Sequence, residues 1–191
     1  MLEAAHHLMA AAGVDVRDLT RIVVGVGPGG FTGLRIGMAT AMALGQALRI
    51  EVTGASSLEA LAQGIADASD AEVVVPVTDA RRREVFTAAY RTGPDGLLTQ
   101  LAPPAAVPVA AFGAHLAGLG TGVAIAGDGA GLVGDPPPGA RLLPASSPGH
   151  RLGAAALVRR VAAGAGLPVA PVYARLPDAE VNRLKALQAA G

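Results

Sequence analysis

Gly25, Gly27 and Gly30 stand in the spacing G-x-G-x-x-G, between a β-branched run at 22–26 and a helical pattern that opens at Phe31. Glycines so placed let a backbone approach a phosphate that a Cβ would hold away, which is how dinucleotide folds use them. Two features weaken that chemistry here. Pro28 stiffens the turn, and no acidic residue stands at the end of the second strand to grip a ribose, because Glu51 falls inside that strand. A P-loop is excluded as well: Gly-Lys-Ser/Thr is missing, and the single lysine, Lys185, lies at the far end of the chain. Ser56 and Ser57 follow a strand, but GASSL is not G-x-S-x-G, and Ser56 with Glu59 fits a helix capping box. His6 and His7 are adjacent, so on a helix they point about 100° apart and cannot share one ion. His115 and His150 stand alone. The residues therefore predict no catalytic group, no cofactor and no metal. Arg81, Arg82 and Arg83 at a polar turn read either as a solvated charge run or as a phosphate contact, and Asp79 beside them has no assigned role.

Composition narrows the class further. The chain has 191 residues, 51% of them hydrophobic, and its 15 basic and 15 acidic side chains cancel. It is long enough for a substantial core, and zero net charge gives no overall field to draw in nucleic acid or an anionic membrane. With no cysteine there is no disulfide framework, which suits the cytoplasm. Residues 1–12 lack a basic leader and are interrupted by Glu3, His6 and His7, so they do not read as a signal peptide. The longest apolar helix carries Arg35, Thr40 and Gln46, which argues against a membrane span.

The elements that must position these residues can be read in order. Leu2, Ala5, Leu8, Met9 and Ala12 recur at helical spacing over 1–12, with Gly13 as the cap. Asp15 and Asp18 suit a short capped turn. A strand at 21–26, a helix at 31–48, a strand at 49–53 and a helix from Ser56 to about 68 imply a parallel βαβ unit. Beyond residue 71 the pattern changes. Strands at 72–77 and 85–91 flank a turn at 79–84 as a hairpin, LLTQL at 97–101 suggests a third strand, 109–119 looks helical, and 122–126 is a strand ending in GDG. A loop at 136–138 precedes an amphipathic helix at 152–164, and the last stretch begins extended and ends helical.

One pattern points to another protein. Gly33, Gly37, Ala41 and Gly45 recur every four residues, a shallow groove that winds about 40° per step along the helix. Phe31, Leu34, Met38 and Met42 form the adjacent ridge that ridges-into-grooves packing uses. The pattern fits equally a helix seated on its own sheet and on helix 1–12, and a helix offered to a partner.

GVGPGGFTGLRIGMATAMALG, then VTGASSLEALAQG, VTDARRREVFTAAY, GDGA at 127–130 and PVYARLP at 171–177, resembles the TsaB family, also called YeaZ, along the whole chain and in the family's order. Gly30 replaces the more usual serine. The resemblance implies an α/β, degenerate actin-like fold of the sugar kinase and Hsp70 type in two lobes, 1–70 holding the pairing helices and 71–191 holding the second lobe and a C-terminal tail. It further implies a noncatalytic scaffold subunit of the machinery that makes N6-threonylcarbamoyladenosine at position 37 of tRNA. Its partners would be the metal-holding catalytic subunit TsaD, the ATPase TsaE, tRNA indirectly through the complex, and a second copy through the same helices, with no membrane. The pairing surface would be Leu2, Ala5, Leu8 and Met9 on the first helix, with Phe31, Gly33, Leu34, Arg35, Gly37, Met38, Ala41 and Met42 on the next. A metal-dependent peptidase or ATPase of the same superfamily is the alternative.

One departure from the family is expected to matter. Its members open with a strand-rich segment of about thirty residues ending its first strand in Asp-Thr-Ser or similar, whereas this chain starts inside the first helix. A short sheet left without those strands exposes apolar edge and face. A misassigned start, or a fragment whose Met1 is internal, is the expectation.

Overall fold

In the computed structural model, residues 2–175 are described. Two separate sheets form a mixed α/β fold. Helix α1 (Leu2–Ala12) ends at Gly13, which takes φ +66°, and a capping box between Asp15 and Asp18 starts the next turn. The apolar strand β1 (Arg21–Gly27) then pairs in parallel with β2 (Glu51–Ser56), in register from Arg21 opposite Glu51 to Gly25 opposite Ala55. Helix α2 (Phe31–Leu48) makes the crossover that parallel pairing requires. It ends at Arg49, which adopts the left-handed conformation at φ 57° and donates its N–H to Gln46. That cap consumes residue 49, and so β2 begins two residues later than the apolar pattern suggests.

Helix α3 (Ser57–Asp67) begins where expected, with the Ser56 side chain accepting from the Glu59 N–H at 3.2 Å. It covers one face of the second sheet, whose strand order is β5 (Leu98–Pro108), β4 (Glu84–Thr92), β3 (Val73–Arg81), β6 (Val123–Ala126) and β7 (Ala140–Leu142). Strand β3 is apolar on both faces because both are covered. Val74 packs with Leu58, Leu61, Ile65, Ala88 and Tyr90 under α3, while Val73, Val75 and Val77 face Phe112, Leu116 and Ile125. Helix α5 (Ala154–Ala162) lies against α3, β1 and β2. From there residues 165–175 run back as a strap: Gly54 and Leu167 exchange hydrogen bonds of 2.8 and 2.9 Å, and the Val172 N–H donates to Val26 at 2.8 Å.

Three segments differ from their sequence patterns. Strands β3 and β4 extend into the 79–84 turn, leaving a tight tip in which Arg81, Arg82 and Arg83 all have positive φ. No glycine or asparagine marks that tip, so nothing in composition announces it. The helix expected at 109–119 reduces to a 3-10 turn at 109–111 and α4 (Phe112–His115), and the chain leaves the helix at Leu116 with Gly118 and Gly120 at φ +89° and +85°. Strand β7 has three residues, too short for a period to register. The helical ending falls in 176–191, outside the described residues.

Candidate functional site

Helix α2 carries the most distinctive surface of the chain. The glycine strip turns about 120° between Gly33 and Gly45, so it cannot stay on one side of the helix. Its two ends meet different surroundings. A Cβ on Gly33 or Gly37 would have no neighbour within 4 Å, whereas at Gly45 it would strike the Val52 side chain and lie 3.2 Å from the Ile50 carbonyl. The C-terminal half of the strip is thus the seat of α2 on β2, and only the N-terminal half is open.

This geometry corrects part of the expected pairing surface. Met38 and Ala41 are 6% and 8% exposed and face the chain's own sheet, and Leu34 is half-buried beside Gly27 and Gly29. Ridge and strip overlap the seating face of α2, which spacing alone could not orient. Phe31, Gly33, Arg35 and Met42 are exposed, Met42 by 54%, and Gly37 is half-exposed. On α1, Leu2 and Leu8 are exposed, Leu8 by 71%, with Ala5 and Met9 half-buried.

The open side of α2 carries a second ladder. Ile36, Ala39, Ala43 and Ala47 are all exposed, and with Leu2, Thr40 and Leu44 the alanines line a groove of about 490 Å³ between α1 and α2. The sequence signal was available, since Ala39, Ala43 and Ala47 repeat every four residues just as the glycines do.

A second concavity, of about 620 Å³, opens between the glycine turn, the β3–β4 tip, the loop after β6 and the strap. Asp128 reaches it because the Gly129 N–H donates to Val77 at 3.1 Å, and its Oδ1 accepts from the Asp79 N–H at 3.1 Å. Asp79 in turn accepts from the Arg81 N–H at 2.7 Å and pairs with the Arg81 guanidinium at 3.1 Å. Opposite, Arg175 donates to Glu84 at 2.8 Å and to the Ala80 carbonyl at 3.2 Å. The Phe31 ring stacks on Tyr173 at 5.7 Å, the Arg35 guanidinium lies 3.8 Å from the Phe31 ring centroid, and Arg35 Nε donates to the Tyr173 hydroxyl at 3.4 Å.

The remaining chemical candidates have other occupations. Gly27, at φ +111°, faces the Val172 carbonyl at 2.7 Å from where its Cβ would be, so the close approach that the glycine fingerprint permits is taken by the strap. Ser56 caps α3. His150 holds Gly127 through Nδ1 and the Leu143 carbonyl through Nε2, at 3.1 to 3.2 Å. Among the described residues no three His, Cys, Asp or Glu side chains group as metal ligands, and no helix is long and apolar enough to cross a membrane.

One titratable group is strongly perturbed. Burial, with the Glu59 carboxylate adding to it, holds the Tyr90 phenol well above its ordinary value, against smaller opposing effects of a Ser56 hydrogen bond and the Arg160 charge. Tyr90 lies under α3 rather than in either concavity, and its neighbours Glu59 and Arg160 form a nearly enclosed ion pair.

Comparison with known proteins gives a consistent picture. Residues 1–123 match the family described as TsaD, tRNA N6-adenosine threonylcarbamoyltransferase. An uncharacterized protein of Mycobacterium leprae is 45% identical over 59% of this chain and 32% of its own. The tRNA threonylcarbamoyladenosine biosynthesis protein TsaB of Bacillus subtilis is 38% identical over 53% of this chain and 43% of its own. The matched region thus spans about a third to two-fifths of these relatives. A solved Pseudomonas aeruginosa structure, described as an uncharacterized protein with similarity to peptidase YEAZ, superposes with a TM-score of 0.70 at 29% identity, over 91% of this chain and 82% of that one.

Proposed function

The chain belongs to the TsaB/YeaZ family, within the wider group that the TsaD description covers, and on that premise we propose that it is a noncatalytic pairing subunit in tRNA threonylcarbamoyladenosine biosynthesis. Its partner in this reading is a TsaD-type catalytic subunit in the cytoplasm, joined by a TsaE-type ATPase, and a second copy of the chain competes for the same face. In this reading the fold is a degenerate actin-like one in two lobes, 1–70 and 71–191, with α3 reaching across to the second sheet and α5 and the strap returning to the first.

The observation that carries the reading is the open α1/α2 face. Ala39, Ala43 and Ala47 line a groove with Leu2, Thr40 and Leu44, the same two helices expose Leu8, Ile36 and Met42, and exposed apolar surface of this kind marks a protein interface. Small side chains let a foreign helix approach closely, and the large ones at the edges supply buried area. The peptidase or ATPase reading has no such support: Ser56 is engaged as a cap, and the described residues offer no group of three metal ligands.

Co-purification of the chain with a TsaD-type protein tests the proposal. Stable association, lost on Ala43→Glu with the fold intact, is the expected result. Association that survives Ala43→Glu and Ile36→Glu together, or proteolysis by the purified chain that depends on added divalent metal, overturns it.

A further inference from the structure

Three consecutive non-glycine residues in the left-handed region are sterically costly, because each Cβ crowds the following carbonyl oxygen. The β3–β4 tip nevertheless places Arg81, Arg82 and Arg83 there, at φ 63°, 57° and 61°. Asp79 over-determines the conformation by accepting the Arg81 N–H and pairing with its guanidinium. Turn geometry alone favours glycine or asparagine at such positions.

All three arginines are exposed, and Arg81 lines the 620 Å³ cleft whose other wall is the Phe31–Tyr173 stack. Guanidinium groups beside an open aromatic face form the combination that holds single-stranded RNA: the cations take phosphates, and an unstacked base lies on the ring. Arg35, over the Phe31 ring and bonded to the Tyr173 hydroxyl, adds a cation at the aromatic wall. Among the described residues, Asp79, Asp128 and Glu84 are the acidic groups nearby. Glu84 is matched by Arg175, Asp128 accepts the Asp79 N–H, and in the Asp79–Arg81 pair the carboxylate is half-buried while the guanidinium is 85% exposed and accessible to a phosphate.

We propose that the arginine tip and Tyr173 form a direct contact for an RNA segment with one nucleotide unstacked into the cleft. This rests on the tRNA-modification reading above and deepens it, since that reading by itself needs only indirect contact. The cleft is of a size for one nucleotide, and the absence of net charge on the chain makes the contact local to the tip.

The test uses the chain assembled with its TsaD-type partner and an unmodified tRNA transcript. Binding is measured as a function of salt for the wild type, for Arg81→Ala with Arg83→Ala, for Tyr173→Ala, and for Arg91→Ala with Arg141→Ala at the opposite end of the sheet. Removing both tip arginines is expected to flatten the log K against log salt slope by about 1.5. Tyr173→Ala is expected to weaken binding about tenfold without changing that slope. The Arg91/Arg141 control is expected to leave both unchanged. Equal effects of tip and control pairs, or no effect of the tip pair on RNA binding by an intact complex, overturn the RNA contact alone. Loss of complex assembly in the tip variant assigns the tip to a protein partner and also overturns it. Failure of the wild type to assemble instead removes the reading on which the contact rests.

Discussion

Gly37 and Gly45 lie about two helical turns apart on one strip of α2, yet Gly45 is pressed against the Val52 side chain and the Ile50 carbonyl, while Gly37 faces open space. The same residue type therefore has two roles, seating at one end and openness at the other. Gly45→Ala should drive a methyl into Val52 and lower stability by about 1–2 kcal/mol after the helix-propensity gain. Gly37→Leu should leave stability within about 0.5 kcal/mol. Denaturant titration of the two variants separates them, and equal losses would contradict the seating argument.

The alanine ladder predicts a binding defect without a folding defect. Ala43 is exposed on the floor of the α1/α2 groove, so Ala43→Glu adds a charge to open surface in the free chain and buries that charge in a complex. The expected outcome is an unchanged melting temperature with at least a tenfold loss of affinity for a TsaD-type partner, since an unpaired buried charge costs several kcal/mol. Calorimetry on the free chain and an equilibrium binding assay read the two effects separately.

Much of this arrangement was legible in the sequence. The strand, glycine turn and helix at 21–48, the Ser56 cap and the central hairpin all follow from periodicity and capping chemistry, because each is set by neighbours within a few residues. The orientation of α2 was not legible. Gly33 to Gly45 and Ala39 to Ala47 are both four-residue ladders, and which one meets β2 is decided by the Gly45–Val52 contact across a parallel crossover. The arginine tip was hidden for a related reason. None of its three left-handed residues is of a type that favours that conformation, and Arg81 is held there by Asp79. The cleft depends on the strap returning from residues 165–175 to β1, a pairing of distant segments that local pattern cannot indicate.

Glu59 and Arg160 tie α3 to α5 with side chains only 18% and 8% exposed. Arg160 donates to Glu59 Oε1 through both Nε, at 3.1 Å, and Nη2. Arg160→Ala should cost about 3 kcal/mol, because the carboxylate left behind is partly buried and unpaired. Replacing both residues with methionine should recover much of that loss, giving a strong coupling in a double-mutant cycle read by urea denaturation. Additive losses would show that packing, not pairing, holds α5 in place.

Tyr90 gives a pH signature. Its phenol is raised in the folded chain, first by burial and then by Glu59, while an unfolded tyrosine titrates near pH 10. Above that value the unfolded state releases a proton that the folded state keeps, so stability is full below about pH 10 and falls as pH rises towards the folded value. The limiting slope is about 1.4 kcal/mol per pH unit. Tyr90→Phe should remove this component of the alkaline decline. An identical alkaline slope in wild type and variant would mean that Tyr90 ionises freely.

The arginine tip predicts an opposition between stability and binding. Arg83 has φ 61°, a conformation that glycine adopts without a Cβ penalty. Arg83→Gly should therefore relieve on the order of 1 kcal/mol of folded-state strain, partly offset by the greater freedom of glycine in the unfolded chain. Arg83→Asn keeps the Cβ but tolerates the left-handed region better than arginine, and should stabilise without that offset. If the tip exists to hold guanidinium groups in place, both variants should match or exceed the wild type in melting temperature while binding tRNA more weakly in the assembled complex. A variant that is less stable than wild type would show that the Arg83 side chain supports the hairpin itself, and the strain would then have a structural rather than a binding role.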